Sequence, residues 1–164
     1  KNIYLSPLEH LHLYEKKKMI KYLKGDQNLT FVNLSSRDCR RPIKDLTNFF
    51  DALDILIINS HEFSDLVKQS YEKIDFKNLQ IKLPYLNERI LIITDAEKGS
   101  YGYFKNKKYF QEAVKPRKIV DTTGCGDAYT AGFIAQYIKS TNIESSMFAG
   151  AKYAALKLAR IGAN

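Results

Sequence analysis

Apolar and polar positions along the chain group into short blocks that favour strands and helices in turn. The continuous apolar runs DILIIN at 54–59 and RILIIT at 89–94 have the length of a strand. Such runs are typical of strands whose two faces are both covered, as in a parallel sheet. Strands are predicted at 3–5, 29–34, 54–59 and 89–94 and, as a hairpin around Asn106-Lys107, at 101–105 and 108–113.

Capping residues bound the helices predicted between these strands. Ser6, Pro7 and Glu9 form one start signal, and Thr141 with Glu144 forms another. Helices are predicted at 7–24, 43–53, 60–69 behind a Ser60 cap, and 127–139, followed by a long helix to about 160. Because strands alternate with helices, we expect a mostly parallel α/β sheet with helices on both faces and no internal domain boundary.

Composition places the chain among globular proteins of one domain. Its 164 residues are 45% hydrophobic and 12% aromatic, which is too apolar for a disordered segment. The apolar runs at 55–58 and 90–93 have four residues each, whereas a membrane span needs about 20. We therefore expect no membrane association and no signal peptide.

The net charge and the number of cysteines indicate which classes of binding partner and which cellular compartment suit the protein. The net charge of +8 favours an anionic partner such as nucleic acid, a phosphorylated metabolite or ATP, without choosing among them. Cys39 and Cys125 lie far apart and do not have the spacing of a zinc site or a disulfide framework. Two reduced thiols in a cytoplasmic protein are the simplest interpretation.

Two charged segments remain open to more than one interpretation. Lys16-Lys17-Lys18, with Lys21 and Lys24, reads as a solvated helix face, although it could contact an anionic partner. The segment from Arg37 to Arg41 follows a predicted strand, where ligands gather in open α/β sheets. A solvated charged loop is the alternative there.

The segment DTTGCGD, from Asp121 to Asp127, carries the most chemistry. Two glycines precede a predicted helix, so backbone N–H groups and the helix N-terminus can together bind an anion. Two roles for Asp127 stay open. It either caps the helix, or it takes a proton from an attacking hydroxyl while the N–H groups stabilise a phosphoryl group. The GxxxxGK[ST] loop of P-loop enzymes is absent from the sequence.

DTTGCGD resembles the DTxGAGD motif of the ribokinase-like, PfkB-type carbohydrate and nucleoside kinases, with Cys125 in place of alanine. The resemblance implies a three-layer α/β/α ribokinase-like fold. It also implies an ATP-dependent kinase that acts on a hydroxyl of a sugar, a sugar derivative or a nucleoside. In that family Asp127 would be the catalytic base, and the backbone N–H groups of Gly124, Cys125 and Gly126 would form the anion hole.

Two further segments resemble motifs of the same family. Asn59 and Glu62 match its NxxE motif, which implies that Asn59 contacts the nucleotide environment and that Glu62 binds Mg²⁺ through water. Read alone, NxxE is more simply a polar strand end with Ser60 capping a helix. Thr94 to Gly99 resembles the TxGxxG segment along the nucleotide phosphates, with Ala96 where glycine is usual. Thr94, Gly99 and Gly126 are therefore implied as nucleotide-binding residues.

A monovalent-cation site is also implied. The segment 160–163 resembles the family's loop after the last long helix. In relatives such a cation rests against the glycine turn, so Asp121, Thr123 and Gly162 could supply oxygens to K⁺.

These motifs belong to the C-terminal half of the family's sequences. Residues 1–164 are thus expected to be the nucleotide-binding and catalytic part of a kinase domain whose other half supplies most sugar contacts. Alone, this part is expected to be inactive and to bind MgADP or MgATP weakly. The implied partners are ATP and a small sugar or nucleoside, with no nucleic acid, and a homodimer of the full-length protein is left open. The alternative function is a non-catalytic, truncated homologue that binds nucleotide or a protein partner.

Overall fold

The computed structural model describes residues 2–25, 27–74 and 83–159. The strands are β1 (Ile3–Leu5), β2 (Thr30–Val32), β3 (Ile55–Asn59), β4 (Ile90–Thr94), β5 (Ser100–Phe104) and β6 (Lys107–Gln111). The helices are α1 (Leu13–Leu23), α2 (Ser36–Cys39), α3 (Ile43–Phe50), α4 (Ser60–Val67), α5 (Cys125–Ser140) and α6 (Ile143–Leu158). Single turns of 3₁₀ helix lie at Tyr71–Lys73, Pro84–Leu86 and Ala96–Lys98.

The strands follow one another in the sheet in chain order, from β1 to β6. β1, β2 and β3 are parallel, with Tyr4 opposite Phe31 and Phe31 opposite Ile55. The sheet as a whole is mixed and mostly parallel, which confirms the predicted α/β class. None of the helices in the described ranges is long and apolar enough to cross a membrane.

The described residues fall into two compact units, a division that the unbroken pattern of the sequence does not predict. The first unit contains the residues up to Ile93 together with Tyr103–Lys107. The second contains Thr94–Gly102 and the residues from Lys108 onward. The NxxE pair therefore belongs to the first unit, and the glycine turn belongs to the second.

The core of the first unit forms around the apolar strand β3. Its residues from Ile55 to Ile58 are all buried, as their continuous run predicts. Burying each such side chain contributes roughly 1.5–3 kcal/mol. The helices supply large apolar groups to the same core, among them Ile20, Leu46, Phe49, Phe50, Phe63 and Leu66.

One lysine of the predicted solvated face is part of this core. Lys16 is only 2% exposed, and its Nζ lies 2.5 Å from Oδ2 of Asp38. The hydroxyl of Ser35 donates a second hydrogen bond to the same oxygen at 2.9 Å. The expectation of a solvated face is therefore wrong for Lys16, and that of a solvated loop is wrong for Asp38. The buried charge of Lys16 is tolerated because it is paired with the carboxylate of Asp38, which lies 22 residues further along the chain.

Three helices are capped by residues other than the predicted ones, and for α1 this also moves the start of the helix. α1 begins at Leu13 instead of residue 7. Its N-cap is His12, whose N–H donates to the Glu15 carboxylate at 2.7 Å. α4 is capped by Asn59 instead of Ser60. α6 is capped by Asn142, whose side-chain oxygen accepts the N–H of Ser145 at 2.8 Å, and not by Thr141.

The predicted hairpin is present, but its turn lies one residue earlier. Lys105 and Asn106 form the turn, with φ values of 44° and 69°. Positive φ at both central positions gives the twist that suits a two-residue hairpin, and asparagine adopts this conformation readily. Lys107 is consequently the first residue of β6.

In the second unit, α5 and α6 pack closely as a helical hairpin. A Cβ added to Gly150 would lie 2.9 Å from the carbonyl oxygen of Tyr129, and one added to Gly132 would lie 2.7 Å from the ring of Tyr153. The two glycines thus let the helices approach each other. Because only two residues connect them, the helices are antiparallel, and the beginning of α5 lies beside the end of α6.

Candidate functional site

The glycine turn enters α5 through a left-handed residue. Gly124 occupies the N-cap position with φ 77° and ψ 7°, and the helix begins at Cys125, two residues earlier than predicted. The turn is held by its own hydrogen bonds. Oδ1 of Asp121 accepts the N–H of Thr123 at 2.9 Å, and the N–H of Cys125 donates to the carbonyl of Thr122 at 3.2 Å.

This geometry changes which N–H groups are available to an anion. The N–H of Cys125 is engaged within the turn, although the sequence predicts it as part of the anion hole. Gly126 and Asp127 are the second and third residues of α5, so their N–H groups have no carbonyl partner within the helix. Apart from its two chain neighbours and the nearby backbone of α5 itself, no atom of the described chain lies within 4 Å of a Cβ added to Gly126. A ligand can therefore approach the backbone at Gly126.

Asp127 does not cap the helix. The cap position is taken by Gly124, which has no side chain, and Asp127 lies in the first turn of α5 with its side chain exposed. A carboxylate there is stabilised by the helix dipole by about 0.3–1 kcal/mol. The structure thus excludes capping as the role of Asp127 and leaves its carboxylate accessible to a substrate.

The thiol of Cys125 is a small, neutral neighbour of the turn. Burial raises its pKa, the Asp121 carboxylate raises it further, and the Lys157 ammonium opposes both effects. The thiol therefore stays protonated near neutral pH. Cys39 and Cys125 are both free cysteines.

The segment before the turn, which contains Ile119 and Val120, is not a strand. The N–H groups of Val120 and Asp121 both donate to the carbonyl of Leu158, at 2.8 and 3.4 Å. Ile119 and Val120 are exposed. The two β-branched residues favour a strand locally, but their segment is bonded to the end of α6 instead.

Asn59 and Glu62 form a reciprocal cap at the end of β3. The side-chain oxygen of Asn59 accepts the N–H of Glu62 at 2.8 Å, and Oε2 of Glu62 accepts the N–H of Asn59 at 3.0 Å. Burial raises the pKa of Glu62, while the hydrogen bonds from Asn59 lower it. The NxxE motif therefore has a structural role in starting α4.

The same pair is compatible with Mg²⁺ held largely by water. No group of three or more His, Cys, Asp or Glu side chains within the described ranges could hold a metal ion by itself. Mg²⁺ commonly keeps several waters and binds through one or two carboxylates plus substrate phosphates. Because the cap uses Oε2 of Glu62, the second oxygen of this half-buried carboxylate fits such a role.

The segment from Thr94 to Gly99 turns tightly between β4 and β5. Gly99 is buried with φ 99°, and a Cβ there would collide with the carbonyl oxygen of Gln111. Ala96 adopts φ 45°, which is a left-handed conformation that favours glycine. Ala96, the residue that departs from TxGxxG, is therefore strained, because the backbone there has a conformation that suits glycine.

We expect Ala96→Gly to stabilise the protein by about 0.5–1 kcal/mol. The left-handed conformation costs a residue with Cβ about 1–2 kcal/mol, from which the greater backbone entropy of glycine must be subtracted. Urea unfolding monitored by circular dichroism measures the change. Ala135→Gly, at an exposed position inside α5, is the matched control and should destabilise by about 1 kcal/mol. Destabilisation by both changes would contradict strain at Ala96.

The structure places the predicted site residues in separate groups. The glycine turn contains six of them: Asp121, Thr123, Gly124, Cys125, Gly126 and Asp127. The compact unit that contains the turn also includes Thr94 and Gly99. Asn59 and Glu62 belong to the other unit. Gly162 lies outside the described residues. Lys157 is buried in the last turn of α6, and nothing in the sequence distinguishes it from the exposed Lys152 of the same helix.

Known proteins resemble the chain in both sequence and structure. The sequence model of the family described as pfkB family carbohydrate kinase matches residues 16–164. A nucleoside kinase from Methanocaldococcus jannaschii is 36% identical over 122 residues, which cover 73% of this chain and 39% of that protein.

Two solved structures match nearly the whole chain. The nucleoside kinase of M. jannaschii, described as an archaeal member of the ribokinase family, has a TM-score of 0.79 at 26% identity and covers 99% of this chain. Arabidopsis thaliana ribokinase complexed with ribose and ATP has a TM-score of 0.80 at 22% identity, with the same coverage. The chain spans 50% and 51% of those two chains. The matches confirm the three-layer α/β/α ribokinase-like class.

Proposed function

Because the chain belongs to the pfkB family of carbohydrate kinases, we propose that its protein transfers the γ-phosphoryl group of ATP to a nucleoside or sugar hydroxyl. The observation that carries the proposal is the exposed carboxylate of Asp127 in the first turn of a helix that begins with a glycine turn. The similar proteins are sugar and nucleoside kinases. The most identical relative described above is a nucleoside kinase, so nucleosides are the first acceptors to test.

In the proposed reaction Asp127 accepts the proton of the acceptor hydroxyl as its oxygen attacks the γ-phosphorus. The exposed position leaves room for the acceptor, and the carboxylate is already positioned by the helix. Proton transfer by a positioned side chain typically contributes about 10²–10⁴-fold to the rate. Asp127 is therefore the residue on which the chemical step depends most.

The backbone N–H groups of the turn stabilise the charge that develops on the phosphoryl oxygens. Donors of this kind are effective because they are oriented before the reaction begins. Gly126 and Asp127 provide N–H groups without helical partners, and Gly124 allows the left-handed entry to the helix. For Cys125 to contribute as well, its N–H would have to exchange the Thr122 carbonyl for the phosphate.

Glu62 would hold Mg²⁺ through water, with Asn59 fixing its carboxylate. When bound, the ion would neutralise charge on the phosphate oxygens. Thr94 and Gly99 are proposed to line the nucleotide phosphates, since Gly99 sets the shape of that segment. K⁺ binding by Asp121, Thr123 and Gly162 stays a prediction.

The proposal is tested by phosphoryl transfer in the intact protein that carries this sequence. MgATP is supplied with adenosine, cytidine, ribose or fructose, and the phosphorylated acceptor is identified by ³¹P NMR. We expect product with at least one acceptor and none when the acceptor is omitted. Tight nucleotide binding without transfer to any acceptor in a wider nucleoside and sugar panel would favour the non-catalytic homologue instead.

A further inference from the structure

Lys157, in the last turn of α6, is a buried lysine without a hydrogen-bond partner in the part of the chain that the structure describes. The residue is 9% exposed, and among the residues that the structure describes its Nζ has no hydrogen-bond partner. Removing an ammonium group from water without a compensating partner is unfavourable. The buried ammonium group of Lys157 therefore lowers the stability of the folded protein, and its presence there needs an explanation.

Lys16, the other lysine described as buried, differs from Lys157 because its ammonium group has a partner within the protein. Lys16 is paired with Asp38, and Ser35 donates to the same carboxylate. Its cost is therefore offset within the folded protein. Lys157 has no comparable carboxylate in the described ranges, so its charge is available to a group from outside.

The ammonium of Lys157 lies beside the glycine turn. The antiparallel packing of α5 and α6 brings the end of α6 to the beginning of α5. The neighbouring carbonyl of Leu158 accepts the N–H groups of Val120 and Asp121, which fixes the end of α6 to the segment that enters the turn. The charge of Lys157 is also close enough to act on the thiol of Cys125, the first residue of α5.

We propose that Lys157 supplies a buried positive charge that strengthens phosphate binding at the glycine turn. This inference rests on the proposed function. Lys157 acts from within the protein, as a positioning charge for the phosphate, while the first-turn N–H groups of α5 make the contacts. Two carboxylates, those of Asp121 and Asp127, belong to the same turn and repel a phosphate. The ammonium offsets that repulsion.

The physical basis is the low dielectric of the interior. The N-terminus of a helix carries about half a positive charge, and a lysine adds a full one. A buried charge is screened by salt much less than an exposed one, so it acts on a nearby anion at physiological ionic strength. Before the anion binds, the ammonium has no hydrogen-bonded acid among the described residues, although the carboxylates of Asp121 and Asp127 belong to the same turn. Binding adds an anion beside it, so part of the cost carried by the ligand-free protein is recovered as affinity.

The test compares Lys157→Met with Lys152→Met in the intact protein. Lys152 is an exposed lysine of the same helix and serves as the matched control. Calorimetry is carried out with ATP, ADP, AMP and adenosine. We expect Lys157→Met to weaken ADP binding about tenfold, with a loss that decreases from ATP to ADP to AMP and vanishes for adenosine. Lys152→Met should leave all four affinities unchanged.

Two further readouts separate this role from a structural one. The ligand-free Lys157→Met protein should unfold at a higher temperature than the parent, because an uncompensated buried charge has been removed. The difference in ADP affinity between parent and variant should persist between about 0.05 and 0.5 M NaCl, because the charge is buried. Lys157→Gln, with a similar length and an uncharged polar end, provides the same comparison if the methionine variant does not fold.

Several results would overturn the inference. An equal loss for ATP, AMP and adenosine would show that Lys157 only maintains the structure. Restoration of ADP affinity in Lys157→Met by K⁺ alone would show that the ammonium compensates a protein carboxylate instead of the phosphate. If the parent protein binds no nucleotide, the proposed function fails as well. If the parent binds and Lys157→Met binds equally well, only the inference about Lys157 fails.

Discussion

Asp127→Asn is expected to lower the turnover of the intact protein by about a thousandfold, with ATP affinity nearly unchanged. The amide keeps the size of the carboxylate but cannot accept the proton of the acceptor hydroxyl. Because Asp127 is exposed and does not cap α5, the substitution removes only the dipole contribution, so the stability should fall by less than about 1 kcal/mol. Single-turnover and steady-state assays at saturating acceptor measure the change.

Glu144→Gln is the matched control for this experiment. Glu144 is also an exposed acid in the first turn of a long helix, α6, but it does not follow a glycine turn. Its substitution should have the same small effect on stability and none on turnover. Near-normal turnover of Asp127→Asn at saturating substrate would contradict the role of Asp127 as base.

Gly126→Val is expected to weaken both nucleotide binding and turnover by about a hundredfold while the protein stays folded, a loss of roughly 2.8 kcal/mol. The added side chain would occupy space next to the first-turn N–H groups, since a Cβ there meets no described atom within 4 Å outside its chain neighbours and the nearby backbone of α5. It would therefore obstruct the phosphate and not the protein. Relative to alanine, valine costs a helix up to about 0.7 kcal/mol and glycine about 0.8–1.0 kcal/mol, so the exchange of glycine for valine should not by itself destabilise α5. Calorimetry with MgADP and thermal unfolding measure the two effects separately.

Gly124→Ala serves as the contrasting variant, since Gly124 has φ 77° and a Cβ there is strained regardless of space. It should lower stability by about 1 kcal/mol or more. Gly126→Val should lower affinity without a matching loss of stability. If Gly126→Val binds MgADP as the parent does, the backbone at Gly126 does not contact the phosphate.

The sequence predicted β3 and β4 to within one residue because short continuous apolar runs are typical of strands buried on both faces. The start of α1 was misplaced because a Ser-x-x-Glu pattern at residues 6–9 has the form of a cap without acting as one. The hairpin turn was shifted by one residue because Lys105, which has no special turn preference, adopts positive φ next to Asn106. Local patterns thus identified elements better than their ends.

For the candidate site, seven consecutive residues of DTTGCGD provided a signal that neither glycine alone would give. The capping role of Asn59 and Glu62 was less apparent, since a polar strand end has several uses. Lys157 could not be identified from sequence. Its burial depends on how α5 packs on α6, and a lysine in a helix is ordinarily exposed.

The helical hairpin connects the proposed phosphate site at the glycine turn to packing contacts further along the two helices. Both ends of the hairpin meet at the turn, while its closest packing occurs further along, at Gly132 and Gly150. A change of side-chain size at these glycines would slide one helix along the other and move Lys157 relative to the first turn of α5. Sequence variation remote from the turn is therefore expected to alter phosphate binding at the proposed site while every residue proposed to contact the phosphate is retained.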